Sequence, residues 1–514
     1  MKRLLALSLA VISALTLLAG CSEPTPEVPV ITDIFEGAIP TLDLGYSVGS
    51  KLAKAYKGIE EANPVSSTIF FADPTSVEYN GRLYVYGTND QQQYGKTMGF
   101  EENSYGNINS LVCYSTEDMV NWRYECTIPT TEICTWAGLS WAPSIVSREE
   151  KGETHFYLYF CNSAGGIGVM TSTSPTGPWK DPIGKPLVHN DMLGDDPTFW
   201  CFDPGVVIDE NGVGWIAVGG GEPMHADESP KHTGNCRIAK LGKNLTSIAG
   251  DFIKVPTLYH FEANELNYIN GTYVLTYCSN FASRDDWDYS LGEKIDTCSM
   301  VYMTTKTPLD ADSWEWGGEY LRNGATFGFD FSNNHTHLQK FNGKYYILYQ
   351  NVSLLMNMGK QGGYRSININ EIEVDEENVV IKQGVMNREG LTQTMHPLAT
   401  DVHEAEESAV SAGILYYTMD NRTYVTSVNN GDWTYFKGLD FGSGVSEFAA
   451  TAKGKGLIEI RLDSIDGEVV GSIQFDNKDF TAVTCQLSKS ISGVHDLYLV
   501  MGNDGFVFDN WQFR

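Results

Sequence analysis

The stretch NGRLYVYGT, residues 80–88, joins an Asn-Gly turn to a run of aromatic and β-branched residues. Asn-Gly is a strong signal for a tight hairpin turn, and the run that follows has the composition of a β-strand. The same pattern occurs five times, always with a glycine in the turn. The copies are NGRLYVYGT (80–88), KGETHFYLYF (151–160), NGVGWIAVGG (211–220), NGTYVLTYC (270–278) and NGKYYILYQN (342–351). The chain therefore repeats a β-hairpin.

The spacing of the five turn glycines indicates how the hairpins are assembled. The successive intervals are 71, 60, 59 and 72 residues. Five all-β units of about 60–70 residues predict a five-bladed β-propeller, because radially repeated sheets leave few exposed edges. A large β-sandwich with hairpins at chance positions is the alternative.

The repeat stops after about residue 393, where short strands and closely spaced turns take over. Stretches such as GDWTYFKGLDFG and GLIEIRLDS predict a β-sandwich of jelly-roll type. The predicted fold class is therefore all-β. The propeller is assigned to residues 63–392 and the sandwich to residues 402–514.

The N-terminus has the features of an exported lipoprotein. MKR is a basic start, LLALSLAVISALTLL is an apolar core, and the small residues before Cys21 match a lipobox. Residues 1–21 are interpreted as a lipoprotein signal peptide with Cys21 as the lipidated residue, and residues 22–62 as a tether and N-terminal segment. An ordinary signal peptide that contains a cysteine is the alternative. We expect an extracytoplasmic protein that contacts the membrane of the bacterial cell envelope through its lipid anchor only.

The balance of charge narrows the class of partner. The chain has 65 acidic and 35 basic residues, a net charge of −30, and 12% aromatic residues. Nucleic acid is an unfavourable partner because phosphate binding needs a basic surface, whereas a neutral polysaccharide is not repelled. Cysteines in apolar runs, such as Cys161 and Cys278, are expected to be buried thiols.

Acidic residues recur at one position of the repeat. Asp73 lies eight residues before its turn glycine, and Asp203 and Glu262 lie nine before theirs. His335 lies eight before the fifth glycine, while the second unit has Trp141 eleven before its glycine. The first strand of each blade lines the central axis, so these side chains are expected to converge at one end of the channel.

A second glutamate, Glu265, lies six residues before the same glycine as Glu262. In an extended segment, residues three apart point to opposite faces. We therefore expect Glu262 to face the axis and Glu265 to face the blade body or solvent. On this basis a Glu265→Gln change is predicted to be nearly silent, whereas Glu262→Gln is predicted to slow catalysis.

Carboxylates gathered in an enclosed pocket suit the cleavage of a glycosidic bond. One must be protonated to donate to the leaving oxygen, and another must be ionised to activate water. A third negative charge nearby raises the pKa of the acid. Calcium binding is the competing interpretation, although a tight calcium site uses more oxygen ligands than three carboxylates supply.

Several of these stretches also resemble the successive blades of glycoside hydrolase family 43, in particular its arabinoxylan arabinofuranohydrolase and β-xylosidase branch. They are ADPTSVEYNGRLYVYGTND, SWAPS, FDPGVVIDENG, FEANELNYINGTYVLTY and NNHTHLQKFNGKYYILY, and the resemblance covers about residues 63–385. It implies that Asp73 is the general base, Glu262 the general acid and Asp203 the residue that orients the acid and raises its pKa. It also implies inversion at the anomeric carbon, with base and acid carboxyls about 6.5–9.5 Å apart.

The same resemblance implies roles for further residues. Trp141 and Phe202 match positions in the sugar pocket, although Trp141 also suits a blade core, and Arg365 matches a basic residue beside the pocket. His335 matches an axial histidine that binds an ion in some members, and a histidine that only forms hydrogen bonds is the alternative. The chain departs from many members at the acid, where it has Glu-Ala-Asn (262–264) instead of Glu-Gly-Pro.

The C-terminal part resembles a carbohydrate-binding module of family 6, on the stretches EAE, NNGDWTYFKGLDFGSG and SGVHDLYLVM. The resemblance implies a structural calcium, for which Glu404, Glu406 and Asp509 are candidates. An aromatic residue often stacks on sugar at the position of Ser427 in such modules. This module is therefore expected to bind sugar weakly, or through Tyr424 or another face.

The predicted activity is that of an inverting glycoside hydrolase that removes α-L-arabinofuranosyl groups from arabinoxylan, a plant cell-wall polysaccharide. β-Xylosidase action on xylo-oligosaccharides and endo-arabinanase action are alternatives, because the shape of the pocket selects the sugar. A surface glycan-binding protein with an inactive propeller is the alternative outside the enzymes. The chemistry is expected to need no cofactor.

Overall fold

The computed structural model describes residues 38–49, 51–194, 199–221, 229–419, 422–427, 429–502 and 505–514. The predicted signal peptide, the predicted lipidation site Cys21 and the first part of the tether lie outside these residues. Strand accounts for 48% of the described residues and helix for 7%, which confirms the all-β fold class. Within the described ranges, no helix combines the length and the apolar character needed to cross a membrane.

Five antiparallel sheets follow one another along the chain, and each begins with one of the predicted hairpins. This arrangement confirms the five-bladed propeller. In chain order the strands are Ala72–Tyr79, Arg82–Thr88, Leu111–Thr116 and Trp122–Ile128 in the first blade; Trp141–Glu150, Glu153–Cys161 and Ile167–Ser172 in the second; Gly205–Ile208, Gly214–Gly219, Cys236–Leu241 and Ile248–Lys254 in the third; His260–Ile269, Thr272–Ser279, Met300–Thr305 and Glu315–Leu321 in the fourth; and Thr336–Phe341, Lys344–Asn351 and Ser366–Glu371 in the fifth.

The core of the propeller lies between neighbouring blades. Clusters of buried apolar side chains fill the five interfaces. Tyr86 of the first blade and Phe160 of the second share one cluster, and Leu348 of the fifth and Val85 of the first share the cluster that closes the ring. Because neighbouring sheets cover both faces of a blade, its second strand is buried almost throughout, as in Arg82–Thr88 and Gly214–Gly219. Burying one such side chain contributes about 1.5–3 kcal/mol.

Short helices connect some of the strands. Among the described residues the longest is Asp90–Thr97, which follows the second strand of the first blade. It carries Asp90 in its first turn and Lys96 in its last, as the helix dipole favours. The other helices are Thr130–Ile133 and Ser353–Asn357, with 3-10 turns at Asn190–Met192, Tyr289–Leu291, Ala311–Ser313 and Gly324–Phe327. A two-stranded ribbon pairs Val374–Asp375 with Val380–Ile381.

The C-terminal module is one ten-stranded sheet that curls until it is nearly closed. This confirms the predicted sandwich region, with the difference that hydrogen bonding continues from one layer to the other. Val445–Leu462 and Val469–Ile491, of 18 and 23 residues, account for much of this continuity, and Phe448, Ile458 and Trp511 lie in the core. The other strands are Ile39–Pro40, His403–Glu404, Val410–Ala412, Ile414–Met419, Arg422–Ser427, Trp433–Asp440, Val494–Gly502 and Val507–Phe513.

The propeller and the C-terminal module share a sheet. The short strand Glu407–Ser408 pairs antiparallel with the outer strand of the first blade, Trp122–Ile128, and becomes the fifth strand of that blade. Arg82 Nη2 lies 3.2 Å from Glu407 Oε1 across the same junction. The first blade is therefore completed by a residue pair that comes after the whole propeller in sequence.

The N-terminal segment also joins the two modules. Ile39–Pro40 pairs in parallel with Val469–Ile491 of the C-terminal sheet. Further along, the indole N–H of Trp433 donates to the carbonyl of Ala53 at 2.9 Å. The segment therefore packs along the C-terminal module before it enters the first blade.

Candidate active site

A pocket of about 80 Å³ lies where the inner strands of the propeller begin. All five blades contribute side chains to it. The lining residues are Asp73, Tyr105, Trp141, Ala142, Phe202, Asp203, Glu262, Asn333, His335 and Arg365. The structure thus brings together the three predicted catalytic carboxylates, His335 and the three predicted sugar-contact residues.

The inner strands reach the pocket through a repeated β-bulge. In the first blade two residues, Asp73 and Pro74, oppose a single residue of the next strand. The same register shift follows Trp141 in the second blade and Glu262 in the fourth. A bulge bends the strand and re-aims its side chains, and bulges are enriched beside active sites.

Two of the three carboxylates lie in the bulge itself. Asp73 and Asp203 have φ angles of 53° and 45°, and Ala142 and Ala263 have positive φ at the corresponding place in two other blades. A left-handed φ at a non-glycine residue costs on the order of 1–2 kcal/mol, although aspartate tolerates it better than most residues. Glu262 comes one residue before this position. The carboxylates therefore enter the pocket from two adjacent positions of the repeat, where the sequence suggested one.

Asp73 is surrounded by positive and hydrogen-bonding groups. Arg365 Nη1 donates to Asp73 Oδ1 at 2.7 Å, and His335 Nδ1 lies 3.4 Å from the same oxygen. The backbone N–H of Asp73 donates to Gln350 Oε1 at 2.7 Å. Burial alone would raise the pKa of Asp73, but Arg365 and His335 outweigh burial and hold the pKa below its ordinary range. Asp73 is therefore ionised at neutral pH.

Asp203 binds the backbone next to Glu262. Ala263, the residue after Glu262, donates its backbone N–H to Asp203 Oδ2 at 2.8 Å. Asn264 Nδ2 donates to the carbonyl oxygen of Asp203 at 3.1 Å. Burial, reinforced by the charge of Asp73, raises the pKa of Asp203 to about 6. Asp203 thus fixes the segment that carries Glu262 and also places negative charge near it.

Glu262 is partly buried beside the other two carboxylates. Its Oε1 accepts a long hydrogen bond from Asn333 Nδ2 at 3.4 Å. Burial raises the pKa of Glu262 to about 8, and the charges of Asp203 and Asp73 act in the same direction. Glu262 is therefore largely protonated at neutral pH while Asp73 is ionised. A proton donor and a proton acceptor in one pocket are what acid-assisted hydrolysis requires.

Aromatic rings form one wall of the pocket and continue outward from it. Successive ring centroids in this line are 5.0 to 6.0 Å apart. From the pocket outward the rings are Trp141, Phe202, Trp200, Phe261, Phe281 and Phe331. The outermost two, Phe281 and Phe331, are 42% and 52% exposed. The wall therefore offers ring faces both inside the pocket and on the surface beside it.

Comparison with known families agrees with this geometry. Residues 62–380 match the model of glycosyl hydrolases family 43, and residues 404–514 match the model of carbohydrate binding module family 6. The chain belongs to glycosyl hydrolase family 43. The predicted membership of both families is thereby confirmed, and the protein is a glycosidase, as predicted.

Related proteins resemble this enzyme over most of its length. An arabinoxylan arabinofuranohydrolase from Bacillus subtilis is 36% identical over 491 residues, which cover 89% of this chain and 93% of that protein. An arabinoxylan arabinofuranohydrolase from Paenibacillus polymyxa is 33% identical over 480 residues, 88% of this chain and 74% of that protein. The crystal structure of a family 43 arabinoxylan arabinofuranohydrolase from Bacillus subtilis in complex with cellotetraose superposes with a TM-score of 0.82, at 34% identity, over 90% of this chain and 99% of that one.

Arg365 of this family 43 enzyme lines the pocket, as predicted, but most of its guanidinium is engaged by protein carboxylates. Its Nε and Nη2 each donate to Asp90 at 2.9 Å, while Nη1 donates to Asp73. Asp90, and Tyr105 and Asn333 in the pocket wall, were not predicted from the sequence. Asn333 could have been found because it lies two residues before a predicted site histidine. Asp90 carried no such signal, because it lies 275 residues from its partner.

Glu265 faces neither the blade body nor solvent, so that expectation was wrong. It is 1% exposed, and its Oε1 lies 2.9 Å from Nδ1 of His337 in the fifth blade. The bulge after Glu262 is the cause. The partners of the two glutamates on the next strand are two residues apart, so both glutamates share one face. Gly205 fits against Glu265, since a Cβ there would lie 2.7 Å from the Glu265 Cα.

The predicted axial ion at His335 finds no ligand group. Among the described residues, no three or more His, Cys, Asp or Glu side chains are arranged to hold a metal ion. Burial lowers the pKa of His335, but its hydrogen bond and charge interaction with Asp73 outweigh burial and leave the pKa above its ordinary value. The contact with Asp73 is in keeping with the alternative, a histidine held by hydrogen bonding.

The predicted calcium residues lie away from the pocket. Glu404 and Glu406 line a cleft of about 480 Å³ between the first blade and the C-terminal module. Arg422 Nη2 lies 3.0 Å from Asp509 Oδ1. Burial raises the pKa of Glu406 well above its ordinary value, and the charge of Glu404 adds to the effect. Glu406 Oε2 is buried and accepts no hydrogen bond from the described part of the chain.

The C-terminal module does not present Tyr424 as a sugar platform, so that suggestion was wrong. Tyr424 is buried, and its ring stacks on that of Phe480 with centroids 4.7 Å apart. Trp433 and Trp511 are also buried in the module. These three rings therefore stabilise the module and leave sugar binding to other surfaces.

Proposed function

We propose that this family 43 enzyme removes α-L-arabinofuranosyl groups from arabinoxylan, with inversion at the anomeric carbon. The observation that carries the proposal is a set of three carboxylates, protonated to different degrees, in a pocket of about 80 Å³. Cavities for drug-sized ligands hold about 300–1,000 Å³, so this pocket suits a single terminal sugar. The names of the two Bacillus subtilis and Paenibacillus polymyxa relatives support the choice of sugar.

The three carboxylates divide the work of hydrolysis. Asp73, ionised beside Arg365, takes a proton from a water molecule as the water oxygen bonds to the anomeric carbon. Glu262 gives its proton to the leaving oxygen as the glycosidic bond breaks. Asp203 holds the backbone next to Glu262 and helps to keep Glu262 protonated. Attack from the face opposite the leaving group inverts the configuration, which proton NMR of the first-formed sugar would show.

The aromatic line supports a polymeric substrate. Ring faces stack well on the apolar faces of sugars, and two exposed rings, Phe281 and Phe331, lie at the end of a line that starts inside the pocket. We place the arabinose side group in the pocket and the xylan backbone over the exposed rings. The family 6 module supports the same class of partner, a carbohydrate.

β-Xylosidase action remains the second candidate, because a terminal xylose would meet the same carboxylates. Endo-arabinanase action is disfavoured, since a pocket for one sugar does not admit the interior of a chain. The test is hydrolysis of nitrophenyl α-L-arabinofuranoside and nitrophenyl β-D-xyloside, followed by analysis of the sugars released from arabinoxylan. Free arabinose as the main product supports the proposal, whereas xylose as the main product overturns it.

We also propose a structural calcium at Glu404, Glu406 and Asp509, whose binding would have to draw the three carboxylates together, because the described residues do not already group them as a metal site. The buried, unpaired Glu406 Oε2 within the described structure fits an oxygen ligand that lacks its cation. Burial also raises the pKa of Asp509 to about 6. A bound cation would offset the unfavourable burial of negative charge on both Glu406 and Asp509. Calcium should raise the melting temperature of the enzyme, and Glu406→Gln should remove that rise. An equal rise in the variant would contradict this site.

The N-terminal sequence supports export and lipid anchoring through Cys21. We propose that the enzyme is tethered outside the cytoplasm of a bacterial cell, where it would meet polysaccharide. Detergent partitioning of the expressed protein tests this, with Cys21→Ser as the variant. Equal partitioning of both proteins into the aqueous phase would contradict the anchor.

A further inference from the structure

Asp90 is a fully buried carboxylate beside the active site that the reaction described above does not use. It begins the helix Asp90–Thr97 and has no measurable exposure. Its oxygens accept four hydrogen bonds. Three come from Arg365, through the backbone N at 3.1 Å and through Nε and Nη2 at 2.9 Å, and one comes from Asn103 Nδ2 at 2.8 Å. Although burial raises the pKa of Asp90, these donors leave its oxygens only an accepting role.

Arg365 is held by this carboxylate in one orientation. Its guanidinium is planar, so the paired bonds from Nε and Nη2 to Asp90 fix the direction of Nη1. That direction points Nη1 at Asp73 Oδ1, 2.7 Å away. The ring of Tyr105 lies against the guanidinium, 4.9 Å from ring centroid to Cζ. Arg365 therefore has little freedom to turn away from Asp73.

We propose that Asp90 is a positioning residue for hydrolysis, which acts by locking Arg365 onto Asp73. Asp90 does not line the pocket, so it touches neither sugar nor water in the reaction. Its effect passes through the guanidinium to the orientation of the Asp73 carboxylate. The inference rests on the proposed role of Asp73 as general base. A base misplaced by about 1 Å can cost about 100-fold in rate, which sets the size of the expected effect.

A purely structural role for Asp90 would give a different result. Asp118 provides the comparison, since it is equally buried, lies outside the pocket and accepts hydrogen bonds from Val120 N, Asn121 N and Gln393 Nε2 at 2.8–2.9 Å. Asp118→Asn should lower the melting temperature while kcat stays near the wild-type value. Asp90→Asn should lower kcat about 10–100-fold with KM within about threefold, because binding contacts in the pocket are kept.

A double-mutant cycle with Arg365 tests the route of the effect. If Asp90 acts through Arg365, adding Asp90→Asn to Arg365→Met should change kcat by less than about twofold. Asp90→Glu keeps the charge but displaces the carboxylate by one methylene, so it too should lower kcat in a protein that still folds. This second variant keeps the test open should Asp90→Asn fail to fold.

The cycle is measured on whichever nitrophenyl glycoside the wild-type enzyme cleaves, so an error in the proposed sugar leaves it readable. Two results would overturn the inference. One is a kcat of Asp90→Asn and Asp90→Glu within twofold of wild type. The other is a fall in kcat on adding Asp90→Asn to Arg365→Met that is as large as the fall that Asp90→Asn causes in the wild-type enzyme. Either result would leave wild-type hydrolysis, and with it the proposed function, intact.

Discussion

Glu262 and Glu265 lie three residues apart on the same inner strand and face the same side of it, but Glu265 is buried whereas Glu262 is only partly buried. Their surroundings differ. Glu262 has two carboxylates near it and one long hydrogen bond, from Asn333. Glu265 lies 2.9 Å from a histidine ring nitrogen of the neighbouring blade. Residue type, strand and facing side are thus shared, and the surroundings separate the proposed acid from the glutamate that contacts His337.

The same contrast holds between two levels of the channel. At the level of the pocket, Asp73, Asp203 and Glu262 crowd like charges together and perturb one another's pKa values. One step further along the strands, side chains tie neighbouring blades to each other. Thr75 Oγ1 accepts from the backbone N of Ile145, and Ser144 Oγ accepts from the backbone N of Val206. The hydrogen bonds between blades at this second level can therefore stabilise the level of the pocket, where like charges lie close together.

The largest expected effect is on the rate of Glu262→Gln. Glutamine cannot donate a proton, so kcat on arabinoxylan should fall about 10²–10⁴-fold. Glu265→Gln is the matched control, with the same substitution on the same strand. Initial rates of arabinose release measure both. A larger rate loss in Glu265→Gln than in Glu262→Gln would break the comparison.

The second effect concerns stability. The pKa of Glu262 is raised to about 8 in the folded protein, so it stays protonated where the unfolded chain has already ionised. The contribution of Glu262 to wild-type stability should therefore fall as pH rises from about 4.5 to 8. Glu262→Gln removes that cost and should be more stable than wild type at pH 8, by up to about 4 kcal/mol in the free energy of unfolding.

Urea unfolding at pH 4 and pH 8 measures this difference. The gain should shrink towards zero at pH 4, where the unfolded chain is also largely protonated at this residue. An equal gain at both pH values would show that the stabilisation is unrelated to ionisation. It would then give no support to a protonated Glu262 at neutral pH.

The third effect is the cost of Glu265→Gln. The sequence predicts a nearly silent change, but the buried contact with His337 implies a loss of about 1–3 kcal/mol in the free energy of unfolding. We expect kcat to stay within a few-fold of wild type, because Glu265 does not line the pocket. Thermal unfolding and kcat measured on the same sample separate the two readouts. Unchanged stability would mean that the contact with His337 contributes little.

The smallest effect is a displacement of the pH profile. Since the acid must be protonated, kcat/KM of the wild-type enzyme should fall as pH rises through about 8. Asp203→Asn removes a negative charge that raises the pKa of Glu262, so the fall should begin at lower pH. A profile on a nitrophenyl glycoside measures it, with Asp209→Asn, outside the pocket, as the control. A fall displaced to higher pH would contradict the role given to Asp203.

The parts of the fold that the sequence predicts well are local. An Asn-Gly turn and an apolar strand are set by neighbouring residues, so five such hairpins predict five blades. Carboxylates placed at a constant distance from those turns predict the pocket, because the inner strands of all blades converge on one axis. The predicted position is correct to within one residue. In the structure, Glu262 lies one residue before the position of the repeat that Asp73 and Asp203 occupy.

The parts that could not be predicted are set by packing between distant segments. The bulge after Glu262 turns Glu265 to the same face, and counting residues in a straight strand gives the opposite answer. Asp90 becomes meaningful only once the first and fifth blades meet and Arg365 lies against it. The sequence left Tyr424 as a candidate sugar contact, but in the folded module its ring stacks on Phe480, which is distant in sequence.

The fifth strand of the first blade, Glu407–Ser408, has a consequence for how such enzymes are cut and recombined. Family boundaries place it in the carbohydrate-binding module, which begins at residue 404, yet it hydrogen-bonds to the catalytic propeller. A gene rearrangement that exchanged the module at that boundary would remove an edge strand of the catalytic domain and one of the two carboxylates that pair with Arg82. The structural unit that could be exchanged intact therefore extends beyond the boundary of the module as the sequence match defines it.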